Sequence, residues 1–359
     1  MTSSSAQFED IKLLEEKLKR GNLPQELYNK ANAAIERLVR LTNSSAYSQE
    51  YDQVSRFLDW ITSLPWNKRS LDILSLENAK KTLDTNHYGL EYIKERVLEY
   101  ISVIILKSNE NTSKTEKIPQ QLGQKAPALL LVGLVGTGKT TMAYSIAQAL
   151  GRKFGRIPMG GMGDALQLRG RSKAYPDAEP GQIMKVLRRV ETANPVILLD
   201  EIDRVTDNAK ADIMGVLVEL LDPEQNSRFL DHYIDFPFDL SEVFFIATAN
   251  NTAGIATAVL DRLEFIEMPS YSDEQKIIIA KNYLLPRAIA ATGLSNEDLE
   301  FEGEIWQQIV RPLGFDAGMR TLDRTINGIC RKVAKLKVAG NFNKITLTED
   351  NMKKYIPVW

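Results

Sequence analysis

The sequence predicts an α/β fold, a core of parallel strands flanked by helices, with a helical region before it and a helical lid after it. Three observations predict this. Short apolar runs at Ala128–Val132, Val196–Leu199 and Val243–Thr248 alternate with helical segments, the pattern of a parallel sheet covered on both faces. On either side of that region apolar residues recur at helical spacing instead. Finally, Gly133-Leu134-Val135-Gly136-Thr137-Gly138-Lys139-Thr140 follows the first apolar run and precedes a helical pattern (Met142, Ile146, Leu150). It matches G-x-x-x-x-G-K-[ST] in the strand–loop–helix setting that a phosphate-binding loop requires. The expected divisions are a helical region at 1–107, a loop at 108–125, the α/β core at 126–271 and the lid at 272–359.

The chain of 359 residues is 43% hydrophobic, enough for two or three packed domains. A formal charge of −2 with 26% charged residues gives no support to a binder of nucleic acid or another polyanion. With Cys330 as the sole cysteine, no intramolecular disulfide can form, and with only His87 and His232 there is no Cys/His metal cluster. The start of the chain is polar and Ser-rich, and no run of about 18 apolar residues occurs, so the expected setting is the cytoplasm, without a membrane.

Taken in order, a disordered tail is expected first, then a helix from Phe8 to Arg20 that stops at Gly21. Leu27, Ala31, Ile35, Leu38 and Leu41 line one face of a helix over Pro24–Leu41. Gln49–Leu64 forms a third helix rich in aromatics and ends at Pro65. Helices at Leu76–Thr85 and Leu90–Lys107 follow. Ser108–Lys125 is polar and aperiodic, hence a loop. Phe154–Met159 and Leu263–Met268 read as two further strands. Beyond Ser272 the expected helices are Glu274–Leu285, Glu304–Val310 and Arg320–Ala339, with a short strand at Lys344–Leu347.

The chemistry follows from the loop. Gly133, Gly136 and Gly138 let the backbone wrap an anion, and the N–H groups of Thr137, Gly138, Thr140 and Thr141 open a helix toward it. Lys139 reaches β- and γ-phosphates, and the Thr140 hydroxyl is a ligand for Mg²⁺. The apolar run Val196–Leu199 ends in Asp200-Glu201. Asp200 suits Mg²⁺ through water, and Glu201 suits a base that polarises the attacking water. Asn250 ends the next strand, where it can hydrogen-bond the γ-phosphate or that water. Arg262 and Arg320, each compatible alone with an ordinary surface ion pair, together suggest charge stabilisation at phosphate. The ligands implied are ATP or ADP with Mg²⁺.

These residues, with Leu58-Asp59-Trp60, Leu64-Pro65-Trp66-Asn67-Lys68, His87-Tyr88-Gly89-Leu90, Leu221-Asp222-Pro223-Glu224-Gln225-Asn226, Asp231-His232-Tyr233, Pro237-Phe238-Asp239-Leu240-Ser241 and Ile329-Cys330-Arg331-Lys332-Val333-Ala334, resemble the AAA+ ATPase module of the Lon proteases from about residue 10 onward. The resemblance implies that Asn250 is a first sensor, that Arg320 is a second sensor acting in cis, and that Arg262 is an arginine finger reaching a neighbour's γ-phosphate. It implies a homo-hexameric ring acting on protein substrates, and places Tyr88, Gly89 and Leu90 near adenine.

The departures from that pattern shape the expectation. The family's Ser–Lys peptidase motif and its large N-terminal substrate-recruiting domain are not found in these residues, so the expected activity is ATP-driven remodelling of proteins without cutting them on this chain. The alternatives are the ATPase portion of a protease, whose peptidase is a further domain or a separate subunit, and a nucleotide-dependent scaffold or switch. In the first pore loop Tyr175 keeps the family's aromatic residue, but Pro176-Asp177 replaces the aliphatic residue and glycine. Asp207-Asn208-Ala209-Lys210 lacks an aromatic in the second, and Leu134-Val135 replaces two prolines in the phosphate loop.

Overall fold

The computed structural model describes residues 2–42, 44–113, 128–311, 318–340 and 344–357, with all side chains but those of 2–6 and 107–113. The helical start comprises α1 (Thr2–Arg20), α2 (Gln25–Arg40), α3 (Tyr47–Ser63), α4 (Leu76–Asn86) and α5 (Glu91–Ser113). Two expectations need correction. α1 begins at Thr2 and so takes in the tail expected to be disordered, and α5 runs past Lys107 to Ser113. Neither segment holds a Gly or Pro to stop a helix, so polarity alone misplaced these ends. Residues 114–125 of the expected loop lie outside the described residues.

The expected single helical region also divides. Ile11, Leu14 and Leu18 of α1 join Leu27, Ala31, Ile35 and Leu38 of α2 and Phe57, Leu58 and Ile61 of α3 in a core continuous with one face of the sheet. Ala79 and Leu83 of α4 and Ile93, Val97 and Ile101 of α5 pack on the opposite face.

The sheet comprises β1 (Ala128–Val132), β2 (Phe154–Pro158), β3 (Val196–Asp200), β6 (Phe244–Ala249) and β7 (Leu263–Glu267), parallel throughout in the order β2-β3-β6-β1-β7. Side chains alternate across it as the pleat requires. Leu130, Ile197, Leu199 and Ala247 face the α1–α3 side, whereas Leu129, Leu131, Leu198 and Ile246 face α4, α5 and α6 (Lys139–Leu150). The connections hold α7 (Leu166–Arg169), α8 (Gln182–Val190), α9 (Lys210–Leu221) and α10 (Thr257–Leu260). An antiparallel hairpin of β4 (Phe229–Asp231) and β5 (Phe236–Phe238), not expected from the sequence, receives the Trp66 ring at 4.8 Å from that of Phe238. Among the described residues no helix is long and apolar enough to cross a membrane.

The lid is built from α11 (Asp273–Ile279), α12 (Leu285–Thr292), α13 (Ile305–Val310), α14 (Arg320–Val338) and α15 (Met352–Tyr355), with β8 (Leu299–Phe301) parallel to β9 (Ile345–Leu347). Its own core centres on Ile326, Ile329, Cys330 and Val333 of α14. Cys330 is buried and its thiol is pushed up to about 11 by that burial, so it stays protonated and unreactive. The helix expected over Glu274–Leu285 is interrupted: a π turn at Ala280–Leu284 separates α11 from α12. Pro286 lacks an N–H and its ring crowds the carbonyl one turn back, and the widened turn accommodates both.

Candidate active site

The parallel register brings the functional residues to one end of the sheet. Val132 pairs with Ala249 and Leu199 with Ala247, so the carboxyl ends of β1, β6 and β3 lie side by side. The phosphate loop leaves β1, Asn250 follows β6, and Asp200-Glu201 close β3. They line one open cleft of about 370 Å³ between sheet and lid, with Tyr88, Arg156, Tyr271, Arg287, Arg320 and Asp323 also on its wall.

In the loop, Gly136 at φ +84° and Gly138 at φ +94° hold the left-handed backbone that lets α6 start with its N–H groups turned inward. Thr137 is buried and its Oγ1 donates to the Leu134 carbonyl at 2.9 Å. Lys139 Nζ donates to the carbonyls of Gly133 (2.6 Å) and Leu134 (2.9 Å) and to Asn250 Oδ1 (3.3 Å). Burial pushes the Lys139 ammonium pKa down, and Asp203, Asp200 and Glu201 oppose that shift. Thr140 and Thr141 stand exposed at the cleft wall.

Two carboxylates are held very differently. Asp200 is buried, with Oδ1 accepting from Thr248 Oγ1 at 2.5 Å and Oδ2 accepting from Arg156 Nε at 2.8 Å. Thr248 Oγ1 also accepts from the Glu201 backbone N–H at 2.9 Å. Glu201 itself sits at φ +61°, a strained conformation for a residue with a side chain. The hydroxyl of Thr248 thus fixes both the acid that ends β3 and the backbone that aims the next one. Asp203 supports Asn250, whose backbone N–H donates to its Oδ2 at 3.0 Å. The Nδ2 of Asn250 is buried without a partner, a donor left for a ligand in the cleft.

The lid is docked directly on the loop. The Met319 N–H donates to the Gly136 carbonyl at 2.9 Å, and Tyr271 Oη donates to the Thr137 carbonyl at 3.3 Å. A Cβ at Gly318 would lie 2.3 Å from the Val135 carbonyl oxygen and 2.7 Å from Gly136 Cα, so only glycine permits this approach. Arg320, at the first position of α14, is thereby brought to the cleft. Gly318→Ala is expected to push the lid off the loop and weaken nucleotide binding about tenfold, measured by titration with a fluorescent ADP analogue, with far-UV circular dichroism unchanged.

Of the residues expected beside adenine, Tyr88 lines the cleft with Asn86 and His87, whereas Gly89 (φ +63°) and Leu90 (φ +61°) lie in the turn that follows it and do not line the cleft. His87 Nε2 is 2.9 Å from Ser145 Oγ of α6. Burial, and then the charge of Lys94, push the His87 imidazole down to about 4. An unfolded chain protonates near pH 6.5 while the folded one keeps His87 neutral down to about 4. Stability from this group is therefore complete above pH 6.5 and falls by roughly 3 kcal/mol as pH drops through 4. In His87→Gln the urea midpoint should vary less with pH over that window.

Arg262 is not in the cleft. It precedes β7, whose Leu263 pairs with Ala128 at the amino end of β1, so the length of a five-residue strand, roughly 16 Å, separates it from the loop. Its Nε and Nη2 donate to Asp222 Oδ2 at 3.1 and 3.0 Å, and Nη1 to the Ala258 carbonyl at 2.7 Å. Tyr175 is also remote and 65% exposed. It crowns a loop whose base is closed by Arg171 N–H to the Glu179 carbonyl (3.0 Å) and by buried Asp231, which accepts from the N–H groups of Gly181, Tyr233 and Ile234. Lys173 of that loop rests 3.6 Å from the centre of the Phe57 ring of α3.

Sequence reasoning missed Arg156, Thr248 and Asp203 as members of the site. Only the register could have found Arg156, which pairs opposite Leu198. The chemistry of the donor set fits a magnesium nucleotide: cationic Lys139 and Arg320, a glycine-lined cradle and an unpaired amide donor. Among the described residues no cluster of three or more His, Cys, Asp or Glu is placed to hold a metal.

Fold and site define a P-loop ATPase domain of the AAA class carrying a helical lid. Residues 129–271 match the ATPase family associated with various cellular activities, and residues 290–345 match the Lon protease AAA+ ATPase lid domain. Lon protease of Dictyoglomus thermophilum is 42% identical over 97% of this chain and 42% of its own length. Lon protease 1 of Bacillus subtilis is 40% identical over 97% of this chain and 43% of its own, and Lon protease 2 of Herpetosiphon aurantiacus 40% over 91% and 38%. Together the two matches define a Lon-type AAA+ ATPase module, and the chain spans about two fifths of the length of these relatives.

Proposed function

We propose that this module hydrolyses ATP to ADP and phosphate in a homo-hexameric ring and uses the cycle to remodel protein substrates. The convergence of Lys139, Asp200, Glu201, Asn250 and Arg320 on one cleft carries the reading. Lys139 and the loop N–H groups hold the β- and γ-phosphates, and Thr140 and Asp200 are the residues to hold Mg²⁺, the latter through water. Bound there, Mg²⁺ neutralises charge on the phosphate oxygens. Glu201 takes the proton of the attacking water, Asn250 orients that water or the γ-phosphate, and Arg320 reports phosphate occupancy to the lid.

Arg262 serves a neighbouring subunit, because its own loop is a strand's length away. Tyr175 contacts substrate polypeptide. Cutting, where it occurs, is done by a peptidase on another domain or subunit, a reading favoured by relatives that are Lon proteases more than twice as long as this chain. The compartment that suits this work is the cytoplasm. The test is ATP turnover with and without casein as an unfolded substrate: stimulation that is lost in Tyr175→Ala supports remodelling, and turnover indifferent to casein assigns the module to a nucleotide-driven scaffold or switch.

A further inference from the structure

We propose that Arg156 is a positioning residue that guards the magnesium ligand, competing with Mg²⁺ for Asp200 and so setting how much Mg²⁺ is needed for tight nucleotide binding. The inference rests on the ATPase reading of the cleft. Arg156 projects from β2, and its guanidinium engages Asp200 Oδ2 twice, through Nε at 2.8 Å and Nη2 at 2.6 Å. Such a fork–carboxylate pair is among the stronger charge-assisted contacts. The two partners are unequal: the Asp200 side chain is 7% exposed, whereas that of Arg156 is 55% exposed and lines the cleft. The aspartate is also gripped on its other oxygen by Thr248, whereas the exposed arginine has solvent beside it into which it could turn.

Among the neighbouring cations Arg156 is the one hydrogen-bonded to Asp200. Lys139 is engaged by two loop carbonyls and Asn250. Arg204 faces Glu201 at 3.6 Å. A second cation approaching Asp200 therefore meets a positive charge already seated on the carboxylate, and this repulsion must be overcome or Arg156 displaced. Nucleotide phosphates in the same cleft offer the displaced guanidinium a new anionic partner. Ligand arrival and release of Asp200 are thus coupled through one mobile side chain.

The experiment is titration of a fluorescent ADP analogue into the full chain over a series of Mg²⁺ concentrations, comparing wild type with Arg156→Gln and Arg156→Lys. Because Arg156 is half exposed, the expected effect is moderate: the Mg²⁺ concentration for half-maximal tightening falls about fivefold in Arg156→Gln. Arg156→Lys, which keeps a charge but loses the fork and serves if the Gln variant folds poorly, should lower it less, about twofold. An unchanged or raised Mg²⁺ requirement in the folded variants overturns the guarding role and makes Arg156 a support for Asp200. Binding of the analogue by the wild-type chain without Mg²⁺ dependence overturns this inference alone, and failure to bind it at any Mg²⁺ concentration overturns the ATPase reading as well.

Discussion

Glu201→Gln should lower ATP turnover by a factor on the order of 10² to 10⁴, the range supplied by a positioned general base, while nucleotide binding persists. The substitution keeps the size and the hydrogen-bonding shape of the side chain but removes its basicity. The backbone at Glu201 is fixed independently of that side chain, by the bond from its N–H to Thr248 Oγ1, so the loop should not rearrange. The φ of +61° matters here, because it aims the residue after Asp200 into the cleft instead of continuing β3. Lys139→Ala should act at an earlier step and abolish binding, since it removes the one ammonium in the loop. Turnover by Glu201→Gln close to that of wild type, measured by phosphate release at saturating ATP, would assign the base elsewhere.

Arg262→Ala should cost roughly 10³-fold in turnover, within the range for an arginine supplied in trans, again without loss of nucleotide affinity. Its position argues for this. Arg262 lies at the amino end of β7, away from its own loop, and Asp222 and the Ala258 carbonyl hold its guanidinium in an extended fork. Asp222 caps the carboxyl end of α9, so the arginine is held from two elements at once. The Asp222 carboxyl is held below the usual range despite its partial burial, with the Glu224 N–H and Arg262 both favouring its charged form. If Arg262 served only this ion pair, Arg262→Ala would lower stability and leave the rate per folded subunit unchanged.

Much of this architecture was legible in residue order. The central strands at Ala128, Val196 and Phe244 announce themselves because a doubly covered parallel strand is a continuous apolar run, whereas the edge strands at Phe154 and Leu263 mix apolar with charged, exposed residues. The loop, Asp200-Glu201 and Asn250 were legible because each directly follows such a run, and a parallel sheet gathers those ends. What the sequence hid depends on distances between strands. Arg156 looks like any basic residue on an edge strand until register sets it beside Asp200. Thr248 reads as a buried strand residue, yet its hydroxyl links both acids. The segment Gly318-Met319-Arg320 was visible as the opening of a lid helix, but its close approach to Gly136 was not. The hairpin at Phe229–Phe238 and the π turn before Pro286 escaped because short strands and widened helical turns carry no period of their own.

The claim that these subunits work as a ring with shared active sites is tested most directly by mixing two inactive variants. A chain with Glu201→Gln lacks its own base but still offers Arg262 to a neighbour, and a chain with Arg262→Ala keeps Glu201. Combined and allowed to exchange subunits, the pair should recover ATP turnover well above the sum of the two alone, rising with total protein concentration. Turnover that stays at that sum at every concentration and mixing ratio would contradict a finger acting in trans, and with it the ring.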